Sequence, residues 1–323
     1  MVSHQTSLRA IIISVALVSV DIAAAEYPVR PVRFVVPFSA GAGLDSIARL
    51  ISPQLSASLG QRFVVDNRPS ASGILGTQIA AEAAPDGYTI VIGNVGTQAA
   101  NAAFIKNLPY DPGRDFTPVT QIARVTEIML VHPSVPAKSV KQFIELAKAR
   151  PGEVTFGTSG RGTTPHLCAF LFQSMTGTRL LHVSYKGIAP ALRDLMSGQT
   201  NLVFSNIISG FPYVKSGRLR GLAVTSEKRS PVAPELPTIG ETVPGYKEYN
   251  WYGIFVPART PKEIVDILNR EVVRALHSKE VGDRLTRSGA EIVGSTAEEF
   301  SRFVSAEREK YIKLVRSSGT RIE

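Results

Sequence analysis

The feature that most constrains the fold is a strand, a glycine-rich turn and a helix that follow one another twice along the chain. The first copy has VRFVV at residues 32–36, the turn SAGAG at 39–43 and a helical stretch from Asp45 to Leu59. The second has VTF at 154–156, the turn GTSGRG at 157–162 and a helix from Pro165 to about Met175. Further strands and helices alternate after each copy, which is typical of an α/β fold with a mostly parallel sheet.

Because the alternating order begins again near the middle of the chain, we predict two lobes with a ligand cleft between them. Strands are expected at residues 32–36, 63–65, 88–92, 125–132, 154–156, 181–184, 201–204, 221–225 and 251–256, and helices at 45–59, 74–84, 139–149, 165–175, 261–277 and 297–317. The strand at 251–256 would run back towards the first lobe. We therefore assign residues 26–124 and 253–323 to lobe 1 and residues 125–252 to lobe 2, each with its own sheet.

The two glycine-rich turns predict an anion site. A strand-to-helix turn exposes backbone N–H groups at the helix N-terminus, where the helix dipole also favours negative charge. Ligands of open α/β sheets bind beyond the carboxyl ends of the strands, so both turns are expected to face the cleft. One turn per lobe predicts a ligand with two anionic ends. The alternative is that each turn is only a tight connection.

Neither turn matches an enzymatic motif. GAGLDS at 41–46 begins like G-x-G-x-x-G but ends in Ser46, and no G-x-x-x-x-G-K-[ST] run occurs. Around Ser159 the hydrolase pattern G-x-S-x-G fails, because Arg161 stands where the second glycine is required. The single cysteine, Cys168, lies in an apolar stretch and the five histidines are scattered, so we predict neither a metal site nor a cofactor.

The N-terminal segment predicts export. Arg9 precedes an apolar run over residues 10–20, and three alanines at 23–25 resemble a signal-peptidase site. We predict a signal peptide over residues 1–25, with an uncleaved anchor as the alternative. The formal net charge of +9 is compatible with nucleic acid, an anionic membrane or a small anion. Export argues against nucleic acid as the partner.

A collinear set of segments supports a family assignment. These are YPVRPVR (27–33), VPF (36–38) with the first glycine turn, DNRP (66–69), PDGYT (85–89), GTSGRG (157–162), YKG (185–187), LAVTS (222–226) and LPT (236–238). With them the chain resembles the substrate-binding proteins of tripartite tricarboxylate transporters, the Bug family. The resemblance implies a periplasmic, two-lobe fold of the type II periplasmic-binding-protein class, a Venus flytrap that closes on a small carboxylate and delivers it to membrane subunits. It also implies a monomeric binding protein that is not an enzyme.

Members of that family grip a carboxylate with the strand–turn–helix unit of each lobe, partly through ordered water. Carried onto this chain, the resemblance points to Phe38, Ser39, Ala40, Ala42 and Asp45 in lobe 1 and to Thr158, Ser159, Gly162, Thr163 and His166 in lobe 2. Asp45 would act on a bridging water, since a carboxylate does not face an anion directly. Alternatively, Asp45 only begins a helix.

The chain departs from the family pattern at three places. GAGL at 41–44 replaces a fuller glycine turn that is followed by Thr or Ser, and SASG at 70–73 replaces a glycine-richer segment. Ser205 stands where Asp is frequent, which removes a charge that could meet a ligand's amine. We therefore include Ser205 among the predicted ligand-binding residues and expect a ligand without an α-amino group, such as an aromatic or dicarboxylic acid.

Two other functions remain open at this point. An exported hydrolase or isomerase could use Asp45, His166 and Ser159 as acid–base groups, although no third group that would orient the base is evident. A receptor of the same fold could instead present its closed lobes to a membrane sensor kinase. The sequence does not separate sensing from transport.

Overall fold

A computed structural model describes the fold over residues 27–41, 43–185 and 187–318. The predicted signal peptide and Ala42 of the first glycine turn lie outside these residues. Within the described ranges, the structure contains no helix with the length and apolar character needed to cross a membrane.

The described residues form ten strands and ten α-helices. The strands are β1 (Val32–Val36), β2 (Phe63–Asn67), β3 (Thr89–Asn94), β4 (Phe116–Val131), β5 (Thr155–Thr158), β6 (Leu181–Ser184), β7 (Leu202–Asn206), β8 (Arg220–Val224), β9 (Tyr249–Pro257) and β10 (Ala290–Ile292). The helices are α1 (Gly43–Leu59), α2 (Ile74–Ala81), α3 (Asn101–Phe104), α4 (Val140–Ala149), α5 (Thr164–Thr176), α6 (Ile188–Met196), α7 (Ile207–Lys215), α8 (Lys262–Leu276), α9 (Lys279–Arg287) and α10 (Ala297–Ser318).

Local sequence signals account for several helix boundaries. α4 begins after Ser139, whose hydroxyl accepts a hydrogen bond from the backbone N–H of Gln142, a favourable N-cap. α5 ends at Gly177, which adopts the left-handed conformation with φ 64°. α1 buries Ile47, Ile51 and Leu55 on one face, as their spacing of four residues predicts.

Two parallel strand groups are joined into one sheet, in the order β2-β1-β3-β9-β4-β7-β5-β6, with β8 and β10 paired to β4. β1 is parallel to β2 and β3, and β5 is parallel to β6 and β7. The pairings β3–β9, β9–β4 and β4–β7 are antiparallel. The two groups therefore run in opposite directions, which allows their carboxyl ends to meet across a cleft. The α/β, periplasmic-binding-protein-like fold expected from the sequence is confirmed.

The two sheets predicted from the sequence are continuous, because β4 is far longer than expected. The predicted strand at 125–132 begins at Phe116 and extends over 16 residues. Its first part pairs with β9 and β10, and its last part with β7 and β8. Pro118 and the polar residues around it conceal this strand in the sequence. The register shift next to Pro118 accommodates a residue that cannot donate to the ladder.

The predicted lobe limits fall within paired strands. Residues 124 and 125 lie in β4 and residues 252 and 253 lie in β9, where Arg124 pairs with Trp251 and Val125 with Asn250. The division into lobes at these positions stays a prediction.

The core reaches across both strand groups through α10. Trp251 of β9 is fully buried between Phe300 and Phe303, which meet it edge-on at centroid distances of 5.8 and 5.5 Å. Further along α10, Tyr311 donates a hydrogen bond to the buried carboxylate of Glu248 at 2.6 Å. α10 thus packs against β9 and the segment just before it.

Candidate functional site

The candidate site lies where β1, β2 and β3 of one group and β5 of the other turn towards helices. Residues from these four turns line a cavity of about 140 Å³, which we name the polar chamber. Its lining comprises Phe38, Ser72, Asn94, Gly96, Asn101, Ser159, Gly162, Thr163, Thr164, Pro165 and Asn250. This is the position at which open α/β sheets bind ligands.

The turn after β1 is held together by the carboxylate of Asp45. Its Oδ2 accepts a hydrogen bond from the backbone N–H of Gly41 at 2.8 Å, and Oδ1 accepts one from Asn67 Nδ2 at 2.9 Å. Arg49 Nε donates to both oxygens at 2.9 and 3.0 Å, and Asn67 Nδ2 also donates to Phe38 O. Asp45 therefore connects the turn to α1 and β2, and its contact with a bridging water stays a prediction.

The ionisation of Asp45 follows from these partners. Desolvation by burial raises the pKa of its carboxyl, but hydrogen bonds from Gly41, Arg49 and Asn67 outweigh burial and lower the pKa below its ordinary value of 3.8. The carboxylate is consequently ionised at neutral pH, and it forms an ion pair with Arg49.

The turn after β5 is stabilised by its own hydroxyl groups. Thr158 Oγ1 accepts a hydrogen bond from the backbone N–H of Gly160 at 3.1 Å and lies 2.6 Å from His182 Nε2. Thr163 Oγ1 donates to Gly160 O at 2.6 Å. The beginning of α5 then contributes Thr164 and Pro165 to the polar chamber. A helix N-terminus with a positive dipole end thus faces the chamber.

The structure brings part of the predicted site together. Phe38, Ser159, Gly162 and Thr163 line the polar chamber, and Gly162 and His166 line a second chamber beside it. Five predicted residues lie outside both linings: Ser39, Ala40, Asp45, Thr158 and Ser205. Ser205 is fully buried in β7, where its hydroxyl contacts Asn206 O, and Ser39 and Ala40 are exposed. Ala42 lies outside the described residues.

Several lining residues were not predicted from the sequence. Ser72 adopts the left-handed conformation with φ 54°, which is unfavourable for a residue other than glycine, and its carbonyl accepts a hydrogen bond from Asn101 Nδ2 at 3.0 Å. Asn94 accepts a hydrogen bond from the N–H of Thr97 and donates its own N–H to Thr97 Oγ1. The two residues that make these reciprocal hydrogen bonds, Asn94 and Thr97, are three positions apart, which is the spacing of a capping pair and could have marked this turn in the sequence. Asn250 could not be predicted as a lining residue from local sequence, because it lies in β9, far along the chain from the four turns.

The second chamber, which we name the aromatic chamber, has a volume of about 290 Å³ and shares Ser72, Asn101 and Gly162 with the polar chamber. Five rings line it, together with Ile105, Arg161, Gln173 and Leu180: Phe104, Phe156, His166, Phe170 and His182. These rings come from α3, β5, α5 and β6, so only the tertiary fold assembles them.

Both histidines of the aromatic chamber are held in the neutral form. Burial, with smaller electrostatic contributions from His182 and Arg161, lowers the pKa of His166 to about 3. Burial and Arg161 also lower the pKa of His182. His166 Nδ1 accepts a hydrogen bond from the backbone N–H of Gly162 at 3.3 Å, which requires an unprotonated Nδ1.

The arrangement of the acid–base candidates differs from a catalytic relay. Asp45 engages Gly41, Arg49 and Asn67, whereas His166 accepts from Gly162 and packs against aromatic rings. Among the residues that the structure describes, no cluster of three or more His, Cys, Asp or Glu side chains could hold a metal ion. Cys168 lies on the buried side of α5, and burial raises the pKa of its thiol.

Comparison with known proteins agrees with this geometry. Residues 47–320 match the family described as tripartite tricarboxylate transporter family receptor. Protein BugT of Bordetella pertussis is 33% identical over 99% of this chain and 100% of its own length. Rpa4515 of R. palustris, solved with adipate, is 41% identical with a TM-score of 0.79 and covers 91% of this chain and 98% of its own. MatC (Rpa3494) of Rhodopseudomonas palustris, solved with bound malate, is 31% identical with a TM-score of 0.78, over 90% of this chain and 100% of its own.

The family match spans well over half of the chain, and the relatives align over nearly their whole length. The sequence resemblance is therefore confirmed. The chain belongs to the tripartite tricarboxylate transporter receptor family, the family of the Bug-type solute-binding proteins.

Proposed function

We propose that the protein is an exported receptor that captures a small carboxylate at the polar chamber and delivers it to the membrane subunits of a tripartite tricarboxylate transporter. The observation that carries the proposal is the convergence of strand-to-helix turns from both strand groups on one chamber. Its described lining contains no Asp or Glu. Backbone N–H groups and the N-terminus of α5 favour an anion there.

The ligands of the two neighbours agree with this proposal, since adipate and malate are both carboxylates. We assign the direct contacts to Phe38, Ser159, Gly162 and Thr163, which line the polar chamber. Asp45 and Thr158 would hold the two turns in place. The lobes would be divided within β4 and β9, at the positions expected from the sequence.

The chamber linings also bear on the chemistry of the ligand. The described linings of both chambers lack acidic side chains, so nothing among them would pair with an α-ammonium group. This supports a ligand without an α-amino group on grounds that do not depend on Ser205. Because Asp45 is bonded to Gly41, Arg49 and Asn67, and His166 Nδ1 already accepts from Gly162, we propose binding without turnover.

Calorimetry on the mature protein tests the proposal. We expect at least one of malate, adipate and benzoate to bind, and aspartate and glutamate to bind more weakly than any ligand found. Ser159→Asp places a negative charge in the polar chamber and should weaken binding by at least about 10-fold, since like charges repel strongly at short distance. Ser301→Asp, at an exposed position on α10, is the matched control and should bind as the wild type does.

The proposal fails if aspartate or glutamate binds most tightly, or if Ser159→Asp binds as the wild type does. Delivery is tested separately by uptake of the bound acid into cells that lack the chromosomal gene. Wild-type protein should restore uptake and Ser159→Asp should not. Normal uptake without the receptor would refute the transport role.

A further inference from the structure

The aromatic chamber adjoins the polar chamber, and a ligand that extends across both would contact residues of each. Ser72, Asn101 and Gly162 belong to the lining of each chamber. A ligand whose carboxylate lies against the turns therefore has about 290 Å³ of adjoining space for the rest of the molecule. Together the two chambers fall within the size range of small-ligand pockets, roughly 300–1,000 Å³.

The walls of the aromatic chamber are ring faces and edges. Phe156 and His182 are stacked with their centroids 4.9 Å apart, and His166 lies nearly parallel to Phe170 at 6.0 Å. Phe104 meets His166 and Phe170 edge-on at 5.7 and 5.4 Å. A flat ring that enters this space can stack or meet edges in the geometries that aromatic pairs favour.

The charge of the chamber restricts what part of a ligand it accepts. Because burial keeps both histidines neutral, the rings themselves carry no fixed charge, whereas the exposed Arg161 also belongs to the lining and supplies positive charge there. Away from Arg161, a second carboxylate enclosed among the rings would lose its hydration without a paired cation, which is costly. The surface formed by the five rings thus suits an uncharged, apolar group.

From this geometry we propose that the aromatic chamber is a specificity subsite for a flat aromatic ring, and that the ligand is an aryl carboxylate whose acid group lies at the polar chamber. The inference rests on the proposed function and selects one ligand class within it. An unbranched aliphatic acid would leave the stacking faces unused.

Calorimetry with benzoate and cyclohexanecarboxylate tests the subsite, because these acids have the same carbon skeleton and differ in aromaticity. We expect benzoate to bind about 10-fold more tightly, as several ring contacts would give. Phe170→Leu should lower this ratio measurably because one of the five rings is lost, and so should Phe104→Leu, a second variant in case the first does not fold. Phe303→Leu is the control, since Phe303 is also partly buried on a helix but lies outside both chambers, and it should retain the ratio.

The outcomes separate the subsite from the proposed function. If malate or adipate binds more tightly than benzoate and the variants at 104 and 170 bind them normally, the subsite is refuted while the receptor function stands. Equal affinity for benzoate and cyclohexanecarboxylate also refutes the subsite. If no carboxylate binds the wild type, the proposed function fails and the subsite with it.

Discussion

The exchange Asp45→Asn distinguishes a residue that holds the first turn from one that contacts the ligand through water. In the structure the two carboxylate oxygens accept hydrogen bonds from different donors, Gly41 N on Oδ2 and Asn67 Nδ2 on Oδ1. An asparagine has only one oxygen, so its amide group must face one of these donors. The substitution therefore leaves a donor unsatisfied in a place where the side chain of residue 45 is only 4% exposed.

The expected loss follows from these contacts. An unsatisfied buried donor costs about 1–3 kcal/mol, and the loss of the ion pair with Arg49 adds about 0.5 kcal/mol, because that arginine is 54% exposed and its charge is screened. Asp45→Asn should thus lower the free energy of unfolding by about 1.5–3.5 kcal/mol. Arg49→Gln is the control, and it should cost less than about 1 kcal/mol because its partners keep their other bonds.

Urea unfolding at pH 7 and pH 3 measures this difference. Since the pKa of Asp45 is lowered on folding, the stabilisation by its charge is complete above the ordinary value of 3.8 and is lost as the pH falls through the lowered value. The difference in free energy of unfolding between the wild type and Asp45→Asn should therefore be smaller at pH 3 than at pH 7. An unchanged free energy of unfolding at pH 7, together with a large loss of ligand affinity in calorimetry, would refute the structural role.

Two further substitutions test the core around the cleft. Burial and the charge of Glu248 raise the pKa of Glu127 to about 8. Between pH 4.5 and pH 8 the folded protein therefore keeps a proton that the unfolded chain has released. The free energy of unfolding consequently falls as the pH rises through this range. In urea unfolding from pH 5 to 8, the free energy of unfolding of Glu127→Gln should fall less steeply with pH than that of the wild type. The same slope for both proteins would contradict this. Gly76→Ala places a methyl group 2.7 Å from Pro37 Cα and should lower the melting temperature, although alanine favours a helix by about 1 kcal/mol. A higher melting temperature would show that α2 moves aside easily.

Local patterns in the sequence determine much of this protein. The apolar spacing of α1, the cap at Ser139 and the two strand–turn–helix units depend on neighbours within a few residues, and the sequence displays such neighbours directly. The family resemblance depends on the same local motifs. Phe38, Ser159, Gly162 and Thr163 are predicted as site residues because they belong to those motifs, and all four line the polar chamber.

The tertiary structure decided what depends on residues far apart in the chain. The full length of β4 became visible only through its pairing with β9, more than 120 residues later, because Pro118 and polar side chains conceal the strand. The partners that engage Asp45 include Asn67 of β2, and the aromatic chamber combines rings from four elements. Backbone turns and periodicities arise from adjacent residues, whereas cavities and ion pairs arise where distant segments pack. For that reason the sequence located the glycine-rich turns that we propose as the anion site, and only the fold showed the ring-lined space beside them.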